Sequence, residues 1–123
     1  MRTILIVEDS TPNAQMIKAA METRGYNVTI AENGEEGIEV AKMLHPALIL
    51  MDLRFPGRGI DGWQAIATLK ADKELRNIPI IAIPVEVHHQ DRERAIVAGC
   101  DYFFPKPFNI IDLLNLVGEY TGL

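Results

Sequence analysis

The sequence predicts an α/β sandwich in which five parallel strands alternate with five helices, and three features carry that prediction. Residues 47–51 and 78–83 are short, unbroken apolar runs, the pattern of strands buried on both faces rather than the alternation of a half-exposed sheet. Stretches with helical spacing separate the strands, so right-handed crossovers place helices on both faces of a parallel sheet. Acids stand where runs stop, Glu8 and Asp9 after the first and Asp52 after the third.

The first strand, 3–7, is a β-branched apolar run closed by Glu8-Asp9. Ser10 or Thr11 caps the helix that follows, and Pro12 suits its first turn. Ala14, Ile17, Ala20 and Met21 recur at helical spacing until Arg24-Gly25. A second strand, 27–31, closes on Glu32-Asn33-Gly34, and a helix over about 35–44 turns Ile38, Ala41 and Leu44 inward before His45-Pro46 stops it. The third strand, 47–51, delivers Asp52 to the rim of the core. A loop over 55–60 follows, and Asp61 N-caps a helix through Ala65, Ile66 and Leu69.

The fourth strand, 78–83, ends at Pro84. Residues 91–98 read as a short helix stopped by Gly99, and Tyr102-Phe103-Phe104 as a buried last strand before Pro105-Lys106-Pro107. A closing helix over about 110–120 spaces Ile111, Leu114 and Val117 for one face. Met16, Met21 and Met43 are expected as core fillers, Trp63 as a half-exposed packing residue, and Glu35-Glu36 and 91–94 as solvated helix faces. The adjacent histidines His88-His89 are expected to be solvated on a polar loop.

At 123 residues the chain is expected to be one domain, 1–123, with no linker and no output domain. No apolar run approaches the roughly 20 residues a membrane span needs, and the N-terminus turns acidic too early for a signal peptide. The expected location is therefore cytoplasmic, and the single cysteine, Cys100, agrees with a reducing compartment. A net charge of −5 without a Lys/Arg cluster argues against direct nucleic-acid contact.

Of the common strand orders, 2-1-3-4-5 suits five strands, and its switch point lies between strands one and three. An Asp after a strand is by itself only a turn residue or a cap. That order, however, sets Glu8 and Asp9 beside Asp52. Two carboxylates about 4 Å apart repel by roughly 4 kcal/mol at an effective dielectric near 20, so such a cluster implies a cation. Mg²⁺ fits, since it takes oxygen ligands from one or two carboxylates together with waters and a phosphate oxygen. Lys106 supplies a second positive charge for a phosphoryl group. An Asp carboxylate so placed can accept that group as an aspartyl phosphate.

The chain resembles bacterial response-regulator receiver domains of the CheY-like (βα)5 type over nearly its whole length. The residues that carry the resemblance are Val7-Glu8-Asp9, Ile49-Leu50-Met51-Asp52-Leu53 with Pro56 beyond, Asp61-Gly62, Ile78-Pro79-Ile80-Ile81 and Lys106-Pro107. Asp91-Arg92-Glu93-Arg94-Ala95 and Ala98-Gly99-Cys100-Asp101 look like phosphorelay and stand-alone receivers. The resemblance implies that Asp52 is the phospho-acceptor, and that Glu8, Asp9, Asp52 and the backbone carbonyl of Arg54 hold Mg²⁺. It implies that Lys106 contacts the phosphoryl group. It further implies a signalling protein rather than an enzyme. Its donor would be a histidine kinase or a histidine phosphotransfer protein, and its target would dock on the fourth helix, fifth strand and fifth helix.

The pattern breaks in three places. Receivers of this kind usually end the fourth strand with Thr or Ser, where this chain has Pro84, which lacks both hydroxyl and N–H. The position of the aromatic switch residue is Phe103, without a phenolic hydroxyl. The loop between Pro56 and Asp61 runs about two residues longer than usual. Pro84 supports an alternative, an atypical receiver that binds partners regardless of phosphorylation. A flavodoxin-like cofactor protein or small enzyme fits poorly, because those folds cradle phosphate after the first strand, where this chain places two acids.

Overall fold

The computed structural model describes residues 2–53, 55, 59–84, 90–104 and 109–122. Among the described residues ten elements alternate: β1 (Thr3–Val7), α1 (Thr11–Glu22), β2 (Asn27–Ala31), α2 (Gly34–Leu44), β3 (Leu48–Met51), α3 (Gly62–Ala71), β4 (Ile80–Ala82), α4 (Asp91–Ala98), β5 (Tyr102–Phe103) and α5 (Ile110–Thr121). All strand pairs are parallel and the sheet order is β2-β1-β3-β4-β5, the predicted doubly wound arrangement. In the register, Val7 stands between Ala31 on one side and Met51 on the other. β1 and β3 therefore end level with one another.

The strands are apolar on both faces because both faces are covered. Leu5, Val7, Ile49, Met51, Ile80 and Ala82 point to one core with Ala41 of α2, Ala65, Ile66 and Leu69 of α3, and Ala95 of α4. The alternate residues, Ile4, Ile6, Leu48, Leu50 and Ile81, meet Ala14, Ile17 and Met21 of α1 and Leu113, Leu114 and Val117 of α5. The side-chain period of two along a strand makes this division.

Helix ends follow local chemistry. Asn33 caps α2 by accepting the Glu36 amide at 2.9 Å, and Asp61 and Gln64 form a reciprocal capping box on α3. Asn109 caps α5, and Gly99, at φ +104°, closes α4. Ser10 occupies the N-cap of α1 without a side-chain cap bond. Pro12 in the first turn fixes a helical φ and has no amide proton to satisfy.

Several expectations need correction. Met16 and Met43 are 54% and 77% exposed rather than core fillers, since the inward stripes of their helices run through residues 14, 17 and 21 and through 34, 37 and 41. Leu44 lies in the last turn of α2, beyond that stripe, and stays exposed. Trp63 is buried, not half-exposed: its ring joins the α3 core and the Arg94 guanidinium lies 4.8 Å from its centroid. Asp91 is buried too, because it shares the inward face of α4 with Ala95, four residues on.

The inward face of α5 is centred on Leu113, Leu114, Val117 and Thr121, which leaves Ile111 exposed. Tyr102 is exposed on the edge strand while Phe103 is buried. β4 is shorter than predicted, because Pro79 has no amide proton and the Ile78 amide turns back to the Leu75 carbonyl.

Candidate functional site

The site forms at the carboxyl edge of the sheet, where β1 and β3 stop together. The Asp52 amide donates to the Val7 carbonyl and the Glu8 amide to the Ala31 carbonyl, each at 2.9 Å. Parallel pairing thus continues one residue past the strands and holds both acids in line with the sheet. Carboxylate oxygens of Glu8, Asp9 and Asp52 lie within 4.8 Å of one another. Glu8 and Asp52 are buried, whereas Asp9 is exposed at the mouth.

The Asp52 carboxylate is further oriented by its own backbone, for the Leu53 amide donates to Oδ1 at 2.8 Å. Behind it the Gly62 amide donates to the Leu53 carbonyl at 2.9 Å. Position 62 must be glycine: a Cβ there would stand 2.2 Å from the Asp52 carbonyl oxygen and 2.5 Å from the Leu53 Cα. The start of α3 therefore packs directly beneath the end of β3.

The donor set suits a hard divalent cation. Ionised carboxylates no more than 4.8 Å apart repel by about 3.5 kcal/mol or more at an effective dielectric near 20, and an all-oxygen donor set with carboxylates suits Mg²⁺. Neutralisation by such an ion removes the repulsion that this edge otherwise carries. Thiol chemistry offers no competing nucleophile. Burial first, and Asp101 beside it, push the Cys100 thiol up to about 11, so it remains protonated at neutral pH.

The acids come together as the sequence indicates. Pro84 is buried just past β4, where the Ile83 amide pairs with the Met51 carbonyl at 2.8 Å, so it leaves the sheet at the same edge as Asp52. Phe103 is buried in β5 with the Arg92 guanidinium 5.2 Å over its ring. Arg54, Lys106 and the His88-His89 pair lie outside the described residues. Sequence reasoning missed the Arg92 and Arg94 contacts, which join α4 to aromatic rings of β5 and α3; an arginine on a helix of one element carries no mark of the ring it will cover.

A family model for the response regulator receiver domain matches residues 4–118. The chain belongs to the response-regulator receiver family. As a receiver it is 32% identical over 121 residues to the polar-differentiation response regulator DivK of Brucella ovis, a match that spans 98% of this chain and 97% of that one. Its fold superposes with a TM-score of 0.90 on the receiver domain of a signal transduction histidine kinase from Syntrophus aciditrophicus, at 31% identity over 99% of this chain and 91% of the other. The receiver domain of the sensor histidine kinase PA1611 from Pseudomonas aeruginosa is similar at a TM-score of 0.89 and 32% identity, covering 99% and 98% of the two chains, and has a magnesium ion coordinated in its active-site cleft. Receivers are signalling phospho-acceptors of two-component systems, and this receiver's acidic cleft stands at the sheet edge where β1 and β3 end. No helix among the described residues is long and apolar enough to cross a membrane.

Proposed function

We propose that Asp52 accepts a phosphoryl group from a phosphohistidine of a histidine kinase or a histidine phosphotransfer protein, in a Mg²⁺-dependent reaction, and that a target protein reads the result. The observation that carries this reading is the convergence of Glu8, Asp9 and Asp52 within 4.8 Å at one sheet edge. An Asp52 carboxylate oxygen forms the new bond to phosphorus, the phosphorus–nitrogen bond of the donor breaks, and the imidazole leaves with the electron pair. Glu8, Asp9 and Asp52, with the Arg54 carbonyl, are the residues that would hold the ion. Bound there, the cation supplies positive charge against the phosphoryl oxygens. Lys106 is assigned to the phosphoryl group itself.

The hydrogen bond from the Leu53 amide holds Asp52 Oδ1 and so helps to orient the carboxylate for attack. The magnesium in the PA1611 receiver supports the same ligand class here. The output face is assigned to α4, β5 and α5, where Ile96 and Val97, Tyr102, and Ile111 and Tyr120 are exposed. An apolar set on a charged surface is what a docking protein covers.

The test is intact-protein mass after incubation with Mg²⁺ and a small acyl phosphate. The expected result is a gain of one phosphoryl group that is lost on Asp52→Asn and on removal of Mg²⁺ with a chelator. A chain that gains no mass, yet binds its target unchanged, would instead act as a phosphorylation-independent interaction module. Pro84, buried where the usual hydroxyl would stand, favours that second reading.

A further inference from the structure

Glu35 stands in the first turn of α2, away from the three acids in sequence, and its Oε2 accepts a hydrogen bond from the Ile60 amide at 3.3 Å across 25 positions of chain. Glycines on both sides of this junction make the approach possible. A Cβ at Gly59, whose φ is +112°, would come 2.1 Å from Glu35 Oε2 and 2.9 Å from its Cδ. A Cβ at Gly34 would come 2.9 Å from Ile60 Cγ1 and 3.3 Å from the Ile60 carbonyl oxygen. A side chain at Gly59 would be strained by its φ of +112° and would displace the Glu35 carboxylate, and one at Gly34 would crowd the Ile60 side chain.

Residues 59–62 form the limb of chain that returns from the loop after β3 to the base of the acceptor. Its far end is fixed by the Gly62 amide on the Leu53 carbonyl, and the Leu53 amide in turn holds Asp52 Oδ1. Glu35 fixes its near end. Between the α2 carboxylate and the acceptor carboxylate there is thus a short relay of hydrogen bonds through Ile60, Gly62 and Leu53.

We propose that Glu35 is a positioning residue for phosphoryl transfer at Asp52, latching the 59–62 limb through the Ile60 amide so that Leu53 presents the acceptor carboxylate in one orientation. The inference rests on the reading of Asp52 as the phospho-acceptor. Glu35 touches none of the reacting atoms and acts through the limb alone. Glutamine at this position keeps a side-chain carbonyl oxygen to accept the Ile60 amide, whereas alanine removes the acceptor.

The experiment compares wild type, Glu35→Ala and Glu35→Gln in two measurements. One is the rate of phosphorylation by a small acyl phosphate at saturating Mg²⁺, followed by intact mass. The other is hydrogen exchange of peptides covering residues 59–62 without metal or donor. Glu35→Ala is expected to slow phosphorylation about 3- to 10-fold, the equivalent of one modest net hydrogen bond, and to speed exchange in the limb. Glu35→Gln is expected to restore the rate to within about twofold and to return exchange toward wild type, because the acceptor oxygen is kept.

Wild-type rate and exchange in Glu35→Ala overturn the proposal, even if its melting temperature falls. So does a Glu35→Gln variant as slow as Glu35→Ala, which would assign the effect to charge. A wild-type chain that takes up no phosphoryl group overturns the acceptor reading and the positioning role with it, while unchanged exchange in Glu35→Ala overturns the latch alone.

Discussion

Hydrogen is the only side chain that position 62 admits, because the neighbours a Cβ would meet at 2.2 and 2.5 Å are backbone atoms of Asp52 and Leu53. Backbone in the middle of a buried strand end has nowhere to go. Gly62→Ala is therefore expected to cost ~2 kcal/mol or more in urea unfolding. Gly37→Ala is the control: its nearest neighbours are the methyl groups of Val7 at 2.8 and 3.1 Å, a side chain able to adjust, so its loss should be the smaller of the two. The sequence marks Asp61-Gly62 as a helix start, and the capping box bears that out. That the same glycine lies under Asp52 depends on two segments ten residues apart meeting, which no local pattern records.

Elements show the same division between periodic and non-periodic information. All ten were legible, because strands buried on both faces and helices with an apolar stripe differ in period. Which member of a stripe is deepest was less so, as Leu44, Ile111 and Met16 show, since a helix can rotate by part of a turn to suit its neighbour. Ties between elements were not legible at all. Lys70, at the end of α3, donates to the carbonyls of Arg76 and Ile78 and to Asp101 Oδ2 at 2.8 Å, while the same carboxylate oxygen accepts the Ile80 amide at 2.7 Å.

One part-buried ion pair thus joins α3, the entry to β4 and the entry to β5. A double-mutant cycle with Lys70→Met and Asp101→Asn, read by urea unfolding, should give a coupling energy of about 1 kcal/mol, above the usual surface pair because the pair shares further backbone partners. A coupling indistinguishable from zero would reduce it to an incidental surface contact.

At the scale of the whole molecule, the proposed phosphorylation of Asp52 matters only if the proposed α4, β5 and α5 face responds. Receivers usually couple the two through a hydroxyl at the end of the fourth strand, and this chain has buried Pro84 there. The missing bond to a phosphoryl oxygen is worth about 1.5 to 3 kcal/mol. NMR with Mg²⁺ and beryllofluoride should therefore show shifts near Asp52 but small ones in α4, β5 and α5. Pro84→Thr should enlarge the latter several-fold. Equal responses in both proteins would show that coupling runs without the hydroxyl, with the Arg92 contact on Phe103 as one available link.

The sequence by itself determined the family, the alternation of elements and the acids that converge at the sheet edge, because hydrophobic period, caps and strand-end carboxylates are local properties of the chain. Tertiary structure decided which glycines had to be glycine, which exposed carboxylate holds the returning limb, and which arginines cover Trp63 and Phe103. Each of those depends on the distance between segments remote in sequence, and that distance is set only when crossovers bring five strands into one sheet.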